Sequence, residues 1–305
     1  FGIRAEAFKS IWWDIGKYSD RLYALPSTPF TIALHFNKRL YRAAGLDPNR
    51  PPESIAELDD HSRRLTLRDS EGRIVQTGFM PAPKLLGWWH WVWPYFFQAT
   101  LWDGERFRLD TPEGIACMRW IAARRRETGF ADALMFENAV GAIEGPQNPF
   151  VAERIAMVFQ GPWTANWVQT YNPALEYGVA PFPAVNSSRQ DGSSRRPVFV
   201  SSDVFVIPRG SRHPRQAMTF LKFLLDQDVM EELCRLHGKV SPFRAPGPDF
   251  YATHPNPHIR VFDEMANSPD AFGYPKMPVW TQASTEMLFL LESTLQGVRG
   301  PDEAV

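Results

Sequence analysis

Cysteine is scarce in this chain: Cys117 and Cys234 are the only two among 305 residues. They fall in separate helix-like segments without metal-ligand spacing, so they read as buried free thiols and say nothing about redox compartment. Long apolar runs are missing too. No stretch reaches the roughly 18 apolar residues of a membrane helix, and the first residues show no basic region followed by an apolar one. An excess of one charge is also absent. A formal net charge of −1 provides no basic field for nucleic acid or anionic lipid, so no nucleic-acid partner is expected and a neutral or weakly charged ligand fits better. There is no internal repeat, no Walker loop, no G-x-G-x-x-G after a strand and no G-x-S-x-G elbow. His237 and His254 lack metal-ligand spacing, so neither metal nor cofactor is expected.

Aromatic residues, by contrast, are abundant. They make up 13% of the chain with 11 Trp, more than a core alone normally uses, and Pro (27) outnumbers Gly (20), which favours flat-ring contacts and rigid loops. The length suits two domains. A helix-like opening leads to an apolar strand signal from Phe30 to Phe36, which ends at Asn37-Lys38. A short helix then stops at Gly45 and a second starts near Glu53. WDGERFRLDTP has the turn and alternation of a hairpin. Thr111-Pro112-Glu113 supplies cap, first-turn proline and first-turn acid for a helix through Arg126, with Ile115, Met118, Ile121 and Ala122 on its inner face. Ile155 to Phe159 and Phe199 to Ile207 read as strands. Pro214 opens a helix whose Ala217, Phe220, Leu221, Leu224 and Leu225 form an apolar stripe. Helices and strands alternate, so the class is α/β.

Four segments, in order, carry a resemblance to one family: YALPSTPFTIALHFNKRLYRAAGLDPNRPPESIAELDDHSRRLT, IAMVFQGPWTANWV, VSSDVFVIPRGSRHPRQAMTFLKFLLDQDVMEELC and GKVSPFRA. The chain resembles the extracellular solute-binding proteins (family 1) of ABC-type sugar importers, the group that includes maltose- and glycerol-phosphate-binding proteins. The resemblance implies a periplasmic-binding-protein-like two-lobe fold (type II) closing on its ligand by a hinge. It divides the chain into a remnant of lobe 1 with the first crossing strand (1–36), lobe 2 (37–200), a lobe 1 portion (201–258), and the hinge return with C-terminal helices of lobe 2 (259–305). The initial βαβ units of the family's first lobe have no counterpart, the start FGIRAEAF reads as cut or processed, and GVRGPDEAV stops where the family continues a helix. Lobe 1 is therefore expected to be incomplete, exposing apolar surface. The implied role is non-catalytic capture of a carbohydrate by a monomer that docks on an ABC-transporter membrane permease. The implied location is periplasmic or extracellular, with a lipid anchor on the full-length form left open.

A sugar presents an apolar C–H face and a hydroxyl rim, so its site needs aromatic planes and convergent polar groups. By resemblance, Trp163 in FQGPWTANW is the stacking tryptophan; the alternative is a plug in lobe 2, and Trp167 reads as core. In GWWHWVWPYFFQAT, His90 with Trp89 stands where the family offers a ligand contact, or His90 is a structural histidine. Ser201, Ser202 and Asp203 stand at the lobe crossing, where their oxygens would bind hydroxyls, or Asp203 caps a turn. Thr28 and Phe30 fall in the first crossing strand. Phe30 replaces an acid of the maltose binders, which puts a maltose-like contact in doubt. Trp280 resembles a late aromatic near the cleft, and Arg244 either reaches the ligand or is solvated. The competing reading is a glycoside hydrolase, which needs two carboxylates about 5 to 9.5 Å apart. Asp103, Glu105, Glu113, Glu137 and Glu144 are available, in polar or helix-cap contexts.

Overall fold

Two strands distant in sequence organise the chain. Leu25–Thr31 runs antiparallel to Val198–Phe205, with Phe30 opposite Ser201 and Pro29 opposite Ser202. The first strand is buried along its whole length although it contains Pro26 and Pro29. Proline has no N–H to give to a ladder, and the pairing register shifts between these two residues. The computed structural model describes residues 2–86, 89–185 and 195–302 as mixed α/β. Trp88 of the aromatic cluster and the last three residues of GVRGPDEAV lie outside the described residues.

The chain divides into two compact units. One holds Phe1–Ala33, Gly161–Gln169 and Val198–Tyr274; the other holds Leu34–Gln160, Thr170–Pro197 and Pro275–Val305. Gly161–Gln169 and the stretch 259–274 thus group with the first unit, whereas the sequence division ran them with the second lobe. The expected single strand from Phe30 to Phe36 is two strands. Leu25–Thr31 belongs to a sheet of the first unit and Ala33–Asn37 to a sheet of the second. Ile32 sits at the break, its amide donating to the Phe199 carbonyl at 3.1 Å. A run buried on both faces shows no alternation, so the change of sheet leaves no trace in its pattern.

In the first unit the sheet order is Ala271–Phe272, Val198–Phe205, Leu25–Thr31. Helices Ser10–Ile15, Gln227–His237 and Ile259–Ala266 pack on Leu25–Thr31. Trp12, Phe199, Met230, Phe250 and Phe262 fill the core between them. Helix Pro214–Leu224 departs from its expected stripe. Leu221 and Leu225 are buried, but Phe220 and the neighbouring Phe223 are each 59% exposed and stacked on one another at 6.5 Å. Tyr23, Val204, Val206 and Leu236 of the same unit are exposed as well. A 3.6-residue period marks an apolar face; it does not guarantee a neighbour to cover it.

In the second unit Ala33–Asn37 is the central strand, flanked by Met157–Gln160 and Tyr177–Ala180. Asn37 then caps helix Lys38–Ala43, its side-chain oxygen accepting from the Leu40 amide. Helix Pro112–Thr128 starts on its Thr111 cap and buries Met118, Ile121 and Ala122, while Ile115 is only half-buried. The expected hairpin after Trp102 reduces to one bridge, Trp102 to Phe107. Asp103 accepts from the amides of Glu105 and Arg106 and so closes a local turn in place of a ladder. Phe79, Trp93, Phe96, Phe159 and Phe182 form an aromatic core, Phe96 meeting Phe182 at 4.4 Å and Phe159 at 5.1 Å. Both cysteines are free and buried, and burial raises their thiol pKa values.

Phe96 is fully buried among other rings, so Phe96→Ala is expected to cost about 3–5 kcal/mol in urea unfolding. Phe223→Ser, on the exposed stack, is expected to change stability by only about 0.5 kcal/mol or less.

Candidate functional site

Trp163 owes its position to a corner. Strand Met157–Gln160 ends, Gly161-Pro162 turns the chain, and helix Thr164–Tyr171 begins directly after the tryptophan. The ring lies against Gly161: a Cβ there would come within 2.3 Å of it, so only glycine leaves this space. Asn256 donates to the Pro162 carbonyl at 2.8 Å and Asn166 to that of Leu236 at 3.1 Å, fixing the corner to the first unit. The indole meets Phe30 edge-on at 5.1 Å and stays half-buried. Trp167, expected in the core, is also only half-buried.

Beside these rings lies a polar group from three distant segments of the same unit. Lys239 Nζ donates to Asp203 Oδ2 at 2.5 Å, and the Thr28 hydroxyl donates to the same oxygen at 2.8 Å. Thr28 Oγ1 is also 3.4 Å from His237 Nδ1. The ammonium lies over both aromatic faces, 5.1 Å from the Phe30 centroid and 5.6 Å from that of Trp163. Thr28, Phe30, Trp163 and Asp203 therefore come together. Ser201 faces Phe30 across the ladder and is buried; the Ser202 hydroxyl donates to the Asp203 carbonyl at 2.6 Å. Arg244 is exposed, and no side-chain hydrogen bond or ion pair joins it to this group among the described residues.

The other candidates belong to the second unit. His90 Nε2 is 2.9 Å from the Ser284 carbonyl, which calls for the neutral Nε2–H tautomer, and burial lowers its pKa. Trp280, at the start of helix Trp280–Leu295, meets Trp91 edge-on at 4.7 Å. Trp89 is 1% exposed and offers no ring surface to solvent. Of the carboxylates weighed for hydrolysis, Asp103 closes its turn, Glu137 pairs with Arg125, and Glu105, Glu113 and Glu144 are exposed.

Sequence reasoning missed Lys239 and the part played by His237. Lys239 lies in GKVSPFRA, where Arg244 stood out as the cation, and spacing alone does not separate a buried ammonium from a solvated guanidinium. Its main chain is held on all sides. The Lys239 amide donates to the Cys234 carbonyl at 2.7 Å and the Val240 amide to that of Pro29 at 3.2 Å. Gly238 just before it takes the left-handed conformation (φ 68°) that ends helix Gln227–His237. His254 completes the support: Nδ1 accepts from the Asn256 amide at 3.0 Å, so Nε2 carries the proton and donates to the Lys239 carbonyl at 3.1 Å. Burial, the dominant cause, pushes the His254 pKa down to about 4.

The family model described as "Bacterial extracellular solute-binding protein" matches residues 5–231. A putative binding protein of Brucella abortus is 23% identical over 291 residues, covering 92% of this chain and 65% of the relative. The chain thus spans 65% of the length of that curated relative. The sn-glycerol-3-phosphate-binding periplasmic protein of Shigella flexneri is 31% identical over 96 residues, 30% of this chain and 19% of that protein. Among solved structures, CpMnBP1 with mannotriose bound has a TM-score of 0.85 at 24% identity, covering 99% of this chain and 76% of that one. The fold is the α/β fold of two-lobe, periplasmic-binding-protein-like solute-binding proteins.

The His254 geometry sets a pH dependence. Its folded pKa, about 4, lies below the ordinary value of 6.5, so between these the unfolded chain binds more protons. The stabilisation is complete above pH 6.5 and is lost as pH falls through about 4. Thermal melts are expected to move to lower Tm across that window, with a shallower fall in His254→Asn; equal slopes would remove His254 as the cause.

Proposed function

Because the chain belongs to the bacterial extracellular solute-binding proteins, we propose that it captures a carbohydrate reversibly, without chemical change, for an ABC-transporter permease. In this reading it acts as a monomer in the periplasm or outside the cell. The observation that carries it is the half-buried Trp163 ring standing beside a hydroxyl, a carboxylate and an ammonium. A pyranose needs that pairing of an aromatic plane with fixed hydrogen-bond donors and acceptors. Trp163 contributes stacking, Asp203 and Thr28 orient the hydroxyls, and Phe30 packs edge-on against the indole. His90 and Trp280, which belong to the second unit, are proposed separately as a polar and an aromatic ligand contact. The mannotriose of CpMnBP1 supports the choice of ligand class. Of the carboxylates named above, Asp103 closes a turn, Glu137 pairs with Arg125, and Glu105, Glu113 and Glu144 are exposed and stand beside no aromatic plane named here, which favours binding over hydrolysis.

Calorimetric titration with mono- and oligosaccharides, mannotriose among them, tests the reading. Trp163→Ala is expected to weaken binding by about 1.5–3 kcal/mol, the scale for removing a large buried side chain. Unchanged affinity in the variant would remove Trp163 from the site, and consumption of an offered oligosaccharide would turn the reading to hydrolysis.

A further inference from the structure

We infer that Lys239 and Asp203 act as one polar anchor that selects two adjacent hydroxyls of a neutral sugar and disfavours phosphate-bearing ligands. The inference rests on the carbohydrate reading of the same site and narrows its substrate class.

The donor and acceptor inventory points there. The Lys239 ammonium has three N–H donors and a side chain only 11% exposed. One donor meets Asp203 Oδ2 at 2.5 Å, a second meets Thr28 Oγ1 at a long 3.5 Å, and the third has no acceptor among the described residues. Asp203 Oδ2 takes both Lys239 and Thr28, whereas Oδ1 accepts from none of the described residues, on a side chain 52% exposed. A strong donor and a strong acceptor are thus left over on two paired side chains, the donor lying over the face of the Trp163 indole. Adjacent sugar hydroxyls match that pair: one accepts from Nζ while its neighbour donates to Oδ1. Charge-assisted bonds of this kind are the stronger class.

Charge decides against phosphate. The ammonium is compensated by a carboxylate in direct contact, so an anion drawn to Lys239 would also be repelled by Asp203 at short range. A neutral polyol meets no such opposition. The anchor is also rigid. Besides the hydrogen bonds already described on the Lys239 main chain, the buried Glu231 accepts from the Ser241 hydroxyl and the Gly247 amide, pinning the loop beyond it. Little ordering remains to be paid on binding.

Calorimetry with mannotriose, sn-glycerol 3-phosphate and inorganic phosphate tests the assignment on the wild-type chain and on Lys239→Met, Asp203→Asn and Trp163→Ala. Circular dichroism and Tm confirm folding; should Lys239→Met fail to fold, Asp203→Asn, on the more exposed partner, carries the test. Mannotriose binding is expected to weaken on the order of ten- to a hundredfold in either anchor variant, the range for losing hydrogen bonds to charged groups. Wild type is expected to ignore phosphate, and Asp203→Asn, with its cation uncompensated, to acquire phosphate binding. Mannotriose affinity within twofold of wild type in both anchor variants, alongside loss in Trp163→Ala, would overturn the anchor and leave the sugar site standing. Tighter wild-type binding of either phosphate probe than of mannotriose would also overturn it. Failure of the wild type to bind mannotriose and every other mono- and oligosaccharide of the titration panel would overturn the carbohydrate reading, and the anchor with it.

Discussion

The antiparallel pairing of Leu25–Thr31 with Val198–Phe205 is the constraint on which the rest depends. It joins segments distant in sequence and brings Thr28 within hydrogen-bonding distance of Asp203, 175 residues away. Closing so long a loop costs entropy that only a deeply buried ladder offsets. The first strand is accordingly buried throughout, and three helices lean on it. Its two prolines weaken the ladder locally and shift the register beside the position where Thr28 turns toward Asp203.

On that ladder sits a buried cation. An ammonium taken out of water is costly unless paired, and Lys239 meets this with one carboxylate, one distant hydroxyl and two aromatic faces. The arrangement is only partly satisfied. Arg125 donates to the Leu295 carbonyl and pairs with Glu137, whose side chain is 14% exposed, whereas the Asp203 side chain is 52% exposed and its free valences can be reached from outside. Around Lys239 and Asp203 they are left open next to an indole, the condition expected of a group that waits for a ligand.

The fold by itself says less. Scaffolds of this kind host many ligands, and what a given chain binds is decided by side chains at the site. Here the aromatic content divides into two uses. The rings around Phe96 are packed on all sides and stabilise the second unit, while Trp163 keeps part of its surface open. The same residue type thus serves a core and a candidate contact surface, and burial alone tells the two apart.

Much of this was legible beforehand. Alternating elements marked the α/β class, Thr111 and Pro112 marked the start of their helix, and the Gly-Pro pair after an apolar strand placed Trp163 at a corner. Each of these is a local matter: cap hydrogen bonds, the fixed φ of proline and strand burial are written within a few residues. Tertiary structure alone decided the break at Ile32, the exposure of Phe220, the burial of Trp89 and the meeting of Lys239 with Asp203. Each depends on what lies opposite, and a one-dimensional pattern records that a side chain is apolar or charged without recording the partner that will cover or neutralise it.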